Sequence, residues 1–301
     1  MLQSDMNRSR LSIWIEAARF RAFPLALSCI GMGGILAAER GMLDIQILGW
    51  AVITTILLQL TSNLANDLGD TQHGADHDDR TGPKRAVQQG LISQSSMKIA
   101  VIICAILSLV SGVILTLLAV DSTRDVLIFV GLGLLAVLAA IGYTMGRRPY
   151  GYLGLGDLSV FIFFGWVGVV GSFYLQTHVL DPLVFLPASA CSFFAVAVLN
   201  VNNIRDIDSD LYAGKRTLAL QLGKMWSRRY HLILLSLGIL CAVLYTILVG
   251  GSWLYLAVVP FLAYNGHQTY THYKAQELDP LVRQMAFTSL LFVVLFGFSV
   301  I

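Results

Sequence analysis

Runs of about twenty apolar residues, the length of helix that crosses a hydrocarbon layer, recur along this 301-residue sequence. They lie at 22–39, 46–66, 98–119, 125–143, 157–176, 182–203, 230–249, 252–270 and 284–301. Such runs leave little choice of fold. A backbone in hydrocarbon finds no water, so each run must satisfy its own hydrogen bonds as a helix, and Gly or Pro within it is tolerated. The sequence therefore reads as an all-α integral membrane protein, a bundle of about nine transmembrane helices forming one polytopic domain over 1–301. Charge supports this, because only 13% of residues are charged, against about 25% in a soluble domain.

The basic residues orient the bundle. With nine spans and a cytoplasmic N-terminus, eighteen of the twenty Lys and Arg fall on the cytoplasmic side, and only Arg40 and Arg124 fall outside. Losing one span would reverse every later loop and destroy the pattern. The segment 1–21 is basic and leads straight into a full-length run, so it does not read as a cleavable signal. Residues 11–21 read as a short interfacial helix with Trp14 at the headgroup level. A net charge of +2 gives no support for nucleic-acid binding. Cys29, Cys104, Cys191 and Cys241 each sit in an apolar stretch, which indicates buried small side chains rather than a disulfide framework or a zinc site.

Two long polar segments, about 67–97 and 204–229, break the pattern. They hold eight of the eighteen acidic residues on the face that should be basic. The first begins Asn66-Asp67-Leu68-Gly69-Asp70 and runs through Asp76 to Arg80. On a continuing helix Asn66 and Asp70 lie one turn apart, and Asp67 is a neighbour of Asp70. The second runs from Asn202 and Asn203 through Asp206 and Asp208 to Asp210. There Asn203, Asp206 and Asp210 share a helix face, while Asp208 points elsewhere and reads as solvated. Either run alone reads as an ordinary solvated helix end. Two of them, each with Asn ahead of Asp at the same end of a span, point to a shared hard cation. Mg2+ takes oxygen ligands, commonly one or two carboxylates plus substrate phosphates. The pair therefore suits a Mg2+-bound diphosphate.

Basic residues near these runs are candidates for the phosphate oxygens: Arg80, Lys84 and Arg85, then Arg147 and Arg148, then Lys215 and Arg216. Positive-inside anchoring accounts equally for Arg147 and Arg148. Asp157 begins a span, where an acid favours the helix dipole; its functional alternative is a contact with an acceptor or cation. His73 and His77 read as polar loop residues before they read as metal ligands. Phe161, Phe163, Phe164, Trp166 and Phe173 read as core or lipid contacts, with some available to line an apolar channel.

These motifs carry a family likeness. The chain resembles the UbiA superfamily of intramembrane aromatic prenyltransferases over nearly its whole length. NDLGDTQHGADHDDRTGPKRAVQQG, YTMGRRPYGYLGLGDLSVFIFFGWVGVVGSFYLQT and LNVNNIRDIDSDLYAGKRTLALQLG look like the variants found in 1,4-dihydroxy-2-naphthoate polyprenyltransferases. WIEAARFRAFP also matches, with Phe20 where a proline is common. The third acid of the first motif stands at Asp76, whereas many 4-hydroxybenzoate enzymes place it at the position of Gly74.

The resemblance implies transfer of an all-trans polyprenyl group from a polyprenyl diphosphate to 1,4-dihydroxy-2-naphthoate. CO2 and diphosphate would leave and demethylmenaquinone would form, in menaquinone synthesis at the cytoplasmic face of a bacterial inner membrane. Carried over by position, Asn66, Asp67, Asp70, Asn203, Asp206 and Asp210 would hold Mg2+-diphosphate, the four aspartates being the catalytic set. Arg80, Lys84, Arg147, Arg148 and Lys215 would face the diphosphate. Asp76, Tyr143, Asp157, Arg21 and Asn202 are acceptor-facing or supporting candidates. The alternatives are a 4-hydroxybenzoate polyprenyltransferase of ubiquinone synthesis and, from another class, an ion-coupled transporter, since intramembrane acids often mark ion paths.

Overall fold

The computed structural model describes residues 9–74 and 85–301, and helices account for every regular element among them. Polar caps start several of the long helices. Asp44 caps α3 (Ile45–Gln72) by accepting the amides of Gln46 and Ile47 at 2.7 and 3.2 Å. Ser93 caps α4 (Gln94–Ala119), and Thr217 caps α10 (Leu218–Val249). Ahead of α3 come α1 (Arg10–Ala18) and α2 (Phe23–Glu39), separated by Arg19 in the left-handed region. Between α4 and α10 run α5 (Thr123–Gly142), α6 (Gly156–Val160), a π-helical stretch Phe161–Val170, α7 (Gly171–Thr177), α8 (Phe185–Arg205) and α9 (Ile207–Tyr212). Then α11 (Val259–Thr271) and α12 (Ala275–Val300) complete the order.

Among the described residues, eight helical stretches are long and apolar enough to cross a membrane. Expected span 252–270 is helical but shorter, a 3-10 turn Leu254–Val258 followed by the 13-residue α11. It runs from the Tyr255 amide, 3.2 Å from Ser299 Oγ, to the His272 carbonyl, which accepts Arg228 Nη2 at 2.8 Å. It thus connects one end of the bundle to the other. The short N-terminal helix also forms, but Trp14 packs on the bundle against a cluster containing Leu64, Leu68 and Met97.

α8 is the central post. It packs against α10, α12 and the 161–170 stretch. Its Ala188, Ala195, Ala197 and Ser192 are small enough for backbones to approach closely, as membrane helices need where no water drives association. Gly165 shows the limit: a Cβ there would stand 2.7 Å from the Ala188 carbonyl. The outer faces carry exposed Ile102, Ile106 and Leu117 on α4, and Leu127 and Leu138 on α5. Lipid is the medium in which such faces are stable, and the protein is an integral membrane protein.

Candidate active site

Both acidic runs end at the same place. Asp70 is in the last turn of α3, and Asp210 is on α9. Between them stands Lys215, its Nζ 2.9 Å from Asp70 Oδ1 and 3.7 Å from Asp210 Oδ1. The turn after α9 puts it there. Gly214 takes φ +68°, and the Lys215 amide donates back to the Asp210 carbonyl at 2.9 Å. The next amide, Arg216, donates to the Tyr152 carbonyl at 2.9 Å, fastening this turn to the 150–153 segment. Lys215 consequently also lies over the Tyr152 ring, 4.9 Å from its centroid.

Asp70 is 2% exposed and gathers three donors. Its Oδ1 accepts from the Tyr152 hydroxyl at 2.8 Å as well as from Lys215, and its Oδ2 pairs with the Arg85 guanidinium. Arg85 also donates to the Asn66 carbonyl. Burial, then the Asp70 carboxylate, holds the Tyr152 phenol well above its ordinary range, so it stays a donor. The α3 tip reaches this position through Gly69. A Cβ on Gly69 would meet the Thr144 carbonyl oxygen at 2.6 Å, and the Thr144 hydroxyl lies 3.0 Å from Asn66 Oδ1.

The second tip is clamped by Arg205, which is 5% exposed. Its Nε and Nη2 grip both oxygens of Asp206 at 2.8 Å. Its Nη1 reaches Asp279 on α12 at 2.6 Å, and Nη2 reaches Asn202 Oδ1 at 2.5 Å.

A cavity of ≈ 380 Å3 opens between the tips. Asn66, Asp70, Arg85, Asn203, Asp206, Asp210 and Lys215 line its mouth, and Ala51, Leu115, Phe163, Phe164 and Leu175 line it further in. From Asp70 to Ala51 it follows α3 for about 28 Å at 1.5 Å per residue, close to a hydrocarbon thickness. A second cavity of ≈ 290 Å3 lies beside α1, bounded by Glu16, Arg19, Phe20, Arg21, Arg85 and Arg205. Arg19, Arg85 and Asn202 line both.

The sequence-derived candidates divide between these spaces. Asn66, Asp70, Tyr143, Asn202, Asn203, Asp206, Asp210 and Lys215 line the long cavity. Asp67 does not; it faces the second cavity, and its carboxylate accepts the Ala86 and Val87 amides, each at 3.2 Å. Arg21 lies there too, 3.9 Å from Asp279. Arg147 and Arg148 are exposed and line neither cavity. Asp157 is buried in the first turn of α6 beside the Tyr230 hydroxyl, also outside both. Asp208 is solvent-facing, paired with Lys224 at 2.8 Å. His73 caps α3, its ring nitrogens 2.8 Å from the Gly69 carbonyl and 3.0 Å from that of Gly146. Asp76, His77, Arg80 and Lys84 lie outside the described residues. Sequence reasoning missed Tyr152, which no pattern marks, and weighed Arg85 only with its basic neighbours.

The mouth offers carboxylate and amide oxygens, with no sulfur or imidazole among its lining residues, and that donor chemistry fits Mg2+. Among the described residues no three His, Cys, Asp or Glu side chains gather into a cage of their own. Mg2+ bound partly through substrate phosphates needs no such cage.

A sequence model of the UbiA prenyltransferase family matches residues 26–291. The chain is 42% identical to the 1,4-dihydroxy-2-naphthoate octaprenyltransferase of Haemophilus influenzae, over 100% of this chain and 99% of that one. It is 44% identical to the 1,4-dihydroxy-2-naphthoate octaprenyltransferase of Escherichia coli, over 96% of each. The fold resembles a UbiA homolog from Aeropyrum pernix K1, with a TM-score of 0.66 at 15% identity over 92% of this chain and 95% of that one. It also resembles a UbiA homolog from Archaeoglobus fulgidus bound to DMAPP and Mg2+, with a TM-score of 0.58 at 16% identity over 93% and 98%.

Proposed function

The chain belongs to the UbiA prenyltransferase family, and from that membership we propose that it transfers the polyprenyl group of a polyprenyl diphosphate to 1,4-dihydroxy-2-naphthoate. The products are diphosphate, CO2 and demethylmenaquinone in its reduced, quinol form, the last for menaquinone synthesis. One observation carries the reading: two acidic helix tips share Lys215 at the mouth of a cavity that follows α3 deep into an apolar bundle. The names of the bacterial relatives support the acceptor.

Asp70, Asp206 and Asp210, with Asn66 and Asn203, would hold Mg2+ at the mouth. Mg2+ so held would supply positive charge against the leaving diphosphate. Lys215 and Arg85 face the same space and add positive charge where negative charge develops. The prenyl C–O bond breaks with its electron pair on the diphosphate. The acceptor ring carbon that bears the carboxylate forms the new C–C bond, and that carboxylate leaves as CO2, its bonding pair restoring the ring. Apolar walls from α3, α4, α5 and the 161–170 stretch keep water from the allylic cation and take the tail. The second cavity suits the acceptor carboxylate, with Arg19, Arg21 and Arg85 around it and a shared wall with the first. In this arrangement Asp67 supports the site by holding the 85–87 backbone in place. The bias of the basic residues supports a mouth on the cytoplasmic side of a bacterial inner membrane.

Membranes carrying Asp70→Ala or Asp206→Ala are expected to lose prenylation of the naphthoate. Near-normal turnover in both would remove the metal assignment. A panel with 4-hydroxybenzoate beside the naphthoate decides the acceptor, which shows itself by product mass and CO2 release.

A further inference from the structure

The oxygens that a divalent cation would use on Asp70 are already occupied. Oδ1 has two lone pairs, and Lys215 at 2.9 Å and the Tyr152 hydroxyl at 2.8 Å take both. Oδ2 faces Arg85. Asp70 and Asp210 are 2% and 6% exposed and come from separate helices. Two such carboxylates repel across a low dielectric unless a cation stands between them. Lys215 is that cation, bridging both.

The cations around the mouth differ in how firmly they are held. Arg205 is fixed on three sides by Asp206, Asp279 and Asn202. Arg85 is tied to a backbone carbonyl as well as to Asp70. Lys215 has a compact charge on a flexible four-carbon stem, a side chain 14% exposed at the cavity wall, and ring and carboxylate contacts that a small rotation releases.

Resting on the metal–diphosphate reading above, we propose that Lys215 is an exchange counter-ion. Without a divalent cation it neutralises Asp70 and Asp210 and keeps the tips together. When Mg2+ and a diphosphate enter, it yields the carboxylates and moves its charge onto the diphosphate oxygens. Mg2+ alone must displace Lys215 and leave it among cations with no anion to receive it, so Mg2+ alone binds weakly. A diphosphate supplies that anion, so the two ligands tighten each other. Linkage makes the tightening equal in both directions. The site therefore fills with the pair rather than with either ligand, and the carboxylates are never left facing each other bare.

The experiment titrates Mg2+ into detergent-purified full-length protein, with and without inorganic pyrophosphate, by calorimetry and by thermal unfolding after EDTA treatment. Lys215→Met keeps the length and removes the charge. It is expected to bind Mg2+ alone about tenfold more tightly than the parent, and to lose about tenfold of the tightening that pyrophosphate confers. In EDTA it unfolds at a lower temperature than the parent, and Mg2+ restores it. Lys215→Arg, whose fork grips carboxylates more firmly, moves Mg2+ binding the other way. Lys224→Met, which removes the exposed partner of Asp208, changes none of these. Unchanged or weaker Mg2+ binding by Lys215→Met, while the parent binds Mg2+ and pyrophosphate together, overturns the exchange. Should the parent bind no Mg2+ with pyrophosphate, the functional reading falls first and the exchange with it.

Discussion

Asp70 concentrates the chemistry of the mouth in one side chain. Asp70→Asn keeps the shape and removes the charge that Lys215 and Arg85 require. Leaving buried cations without their anion costs about 3–5 kcal/mol, so the thermal midpoint should fall. Prenyl transfer should fall by about 10²-fold or more, measured as product formed at saturating Mg2+. Gly69 tests position rather than charge. The Cβ of Gly69→Ala would press the Thr144 carbonyl and tilt the tip that carries Asn66 and Asp70. Overpacking of this kind costs about 1–3 kcal/mol. Activity should drop with it, whereas Gly131→Ala on α5, where a Cβ meets nothing within 4 Å, should leave both stability and activity intact. Asn66, Asp70 and the second-motif acids were legible in the sequence because side-chain identity and spacing are local. Tyr152 was not, because it reaches Asp70 across 82 residues.

At the level of elements, α8 does most to place the site. It ends in Asn203 and Arg205 and is capped by Asp206, and Arg205 ties that end to Asp279 on α12. Arg205→Met should therefore free α12 from the second tip and remove the clamp on Asp206. A lower unfolding midpoint with a raised KM for the prenyl diphosphate is the expected result, and an unchanged KM would separate the clamp from the site. The span starts and caps of α3 and α4 follow from hydropathy and from Asp44 and Ser93. Two departures did not show. α10 is kinked at Gly223, whose φ of +75° leaves the helical region between two helical stretches, and 161–170 winds as a π-helix. An apolar run has the same hydropathy whether it winds as α or π, so its winding is left to packing: here Ser192 Oγ donates to the Phe161 carbonyl at 2.8 Å.

For the whole molecule, orientation is the property that connects fold to metabolism. Single cysteines replacing Arg148 and Arg40, in a background without Cys29, Cys104, Cys191 and Cys241, should label from opposite sides of the membrane. A membrane-impermeant maleimide should reach the Arg40 position in intact spheroplasts and the Arg148 position only after lysis. Labelling of both from outside would overturn the cytoplasmic mouth. The bundle brings the 66–70 and 203–215 segments to one end, which fits them to act on one diphosphate.

The sequence alone determined that this chain crosses a bilayer as helices and that two of those helices end in paired Asn and Asp. Hydrocarbon makes helix formation a local necessity, and charge is visible wherever it interrupts an apolar run. Only the tertiary structure decided that Asp70 faces the long cavity while Asp67, three residues earlier, holds the 85–87 backbone. It also decided that Lys215, Arg85 and Tyr152 converge on Asp70 while Arg147 and Arg148 stay outside. The reason is that lipid and protein core are equally apolar, so hydropathy does not fix how a helix turns about its axis. Close packing of small residues does, and those contacts join positions far apart in the chain.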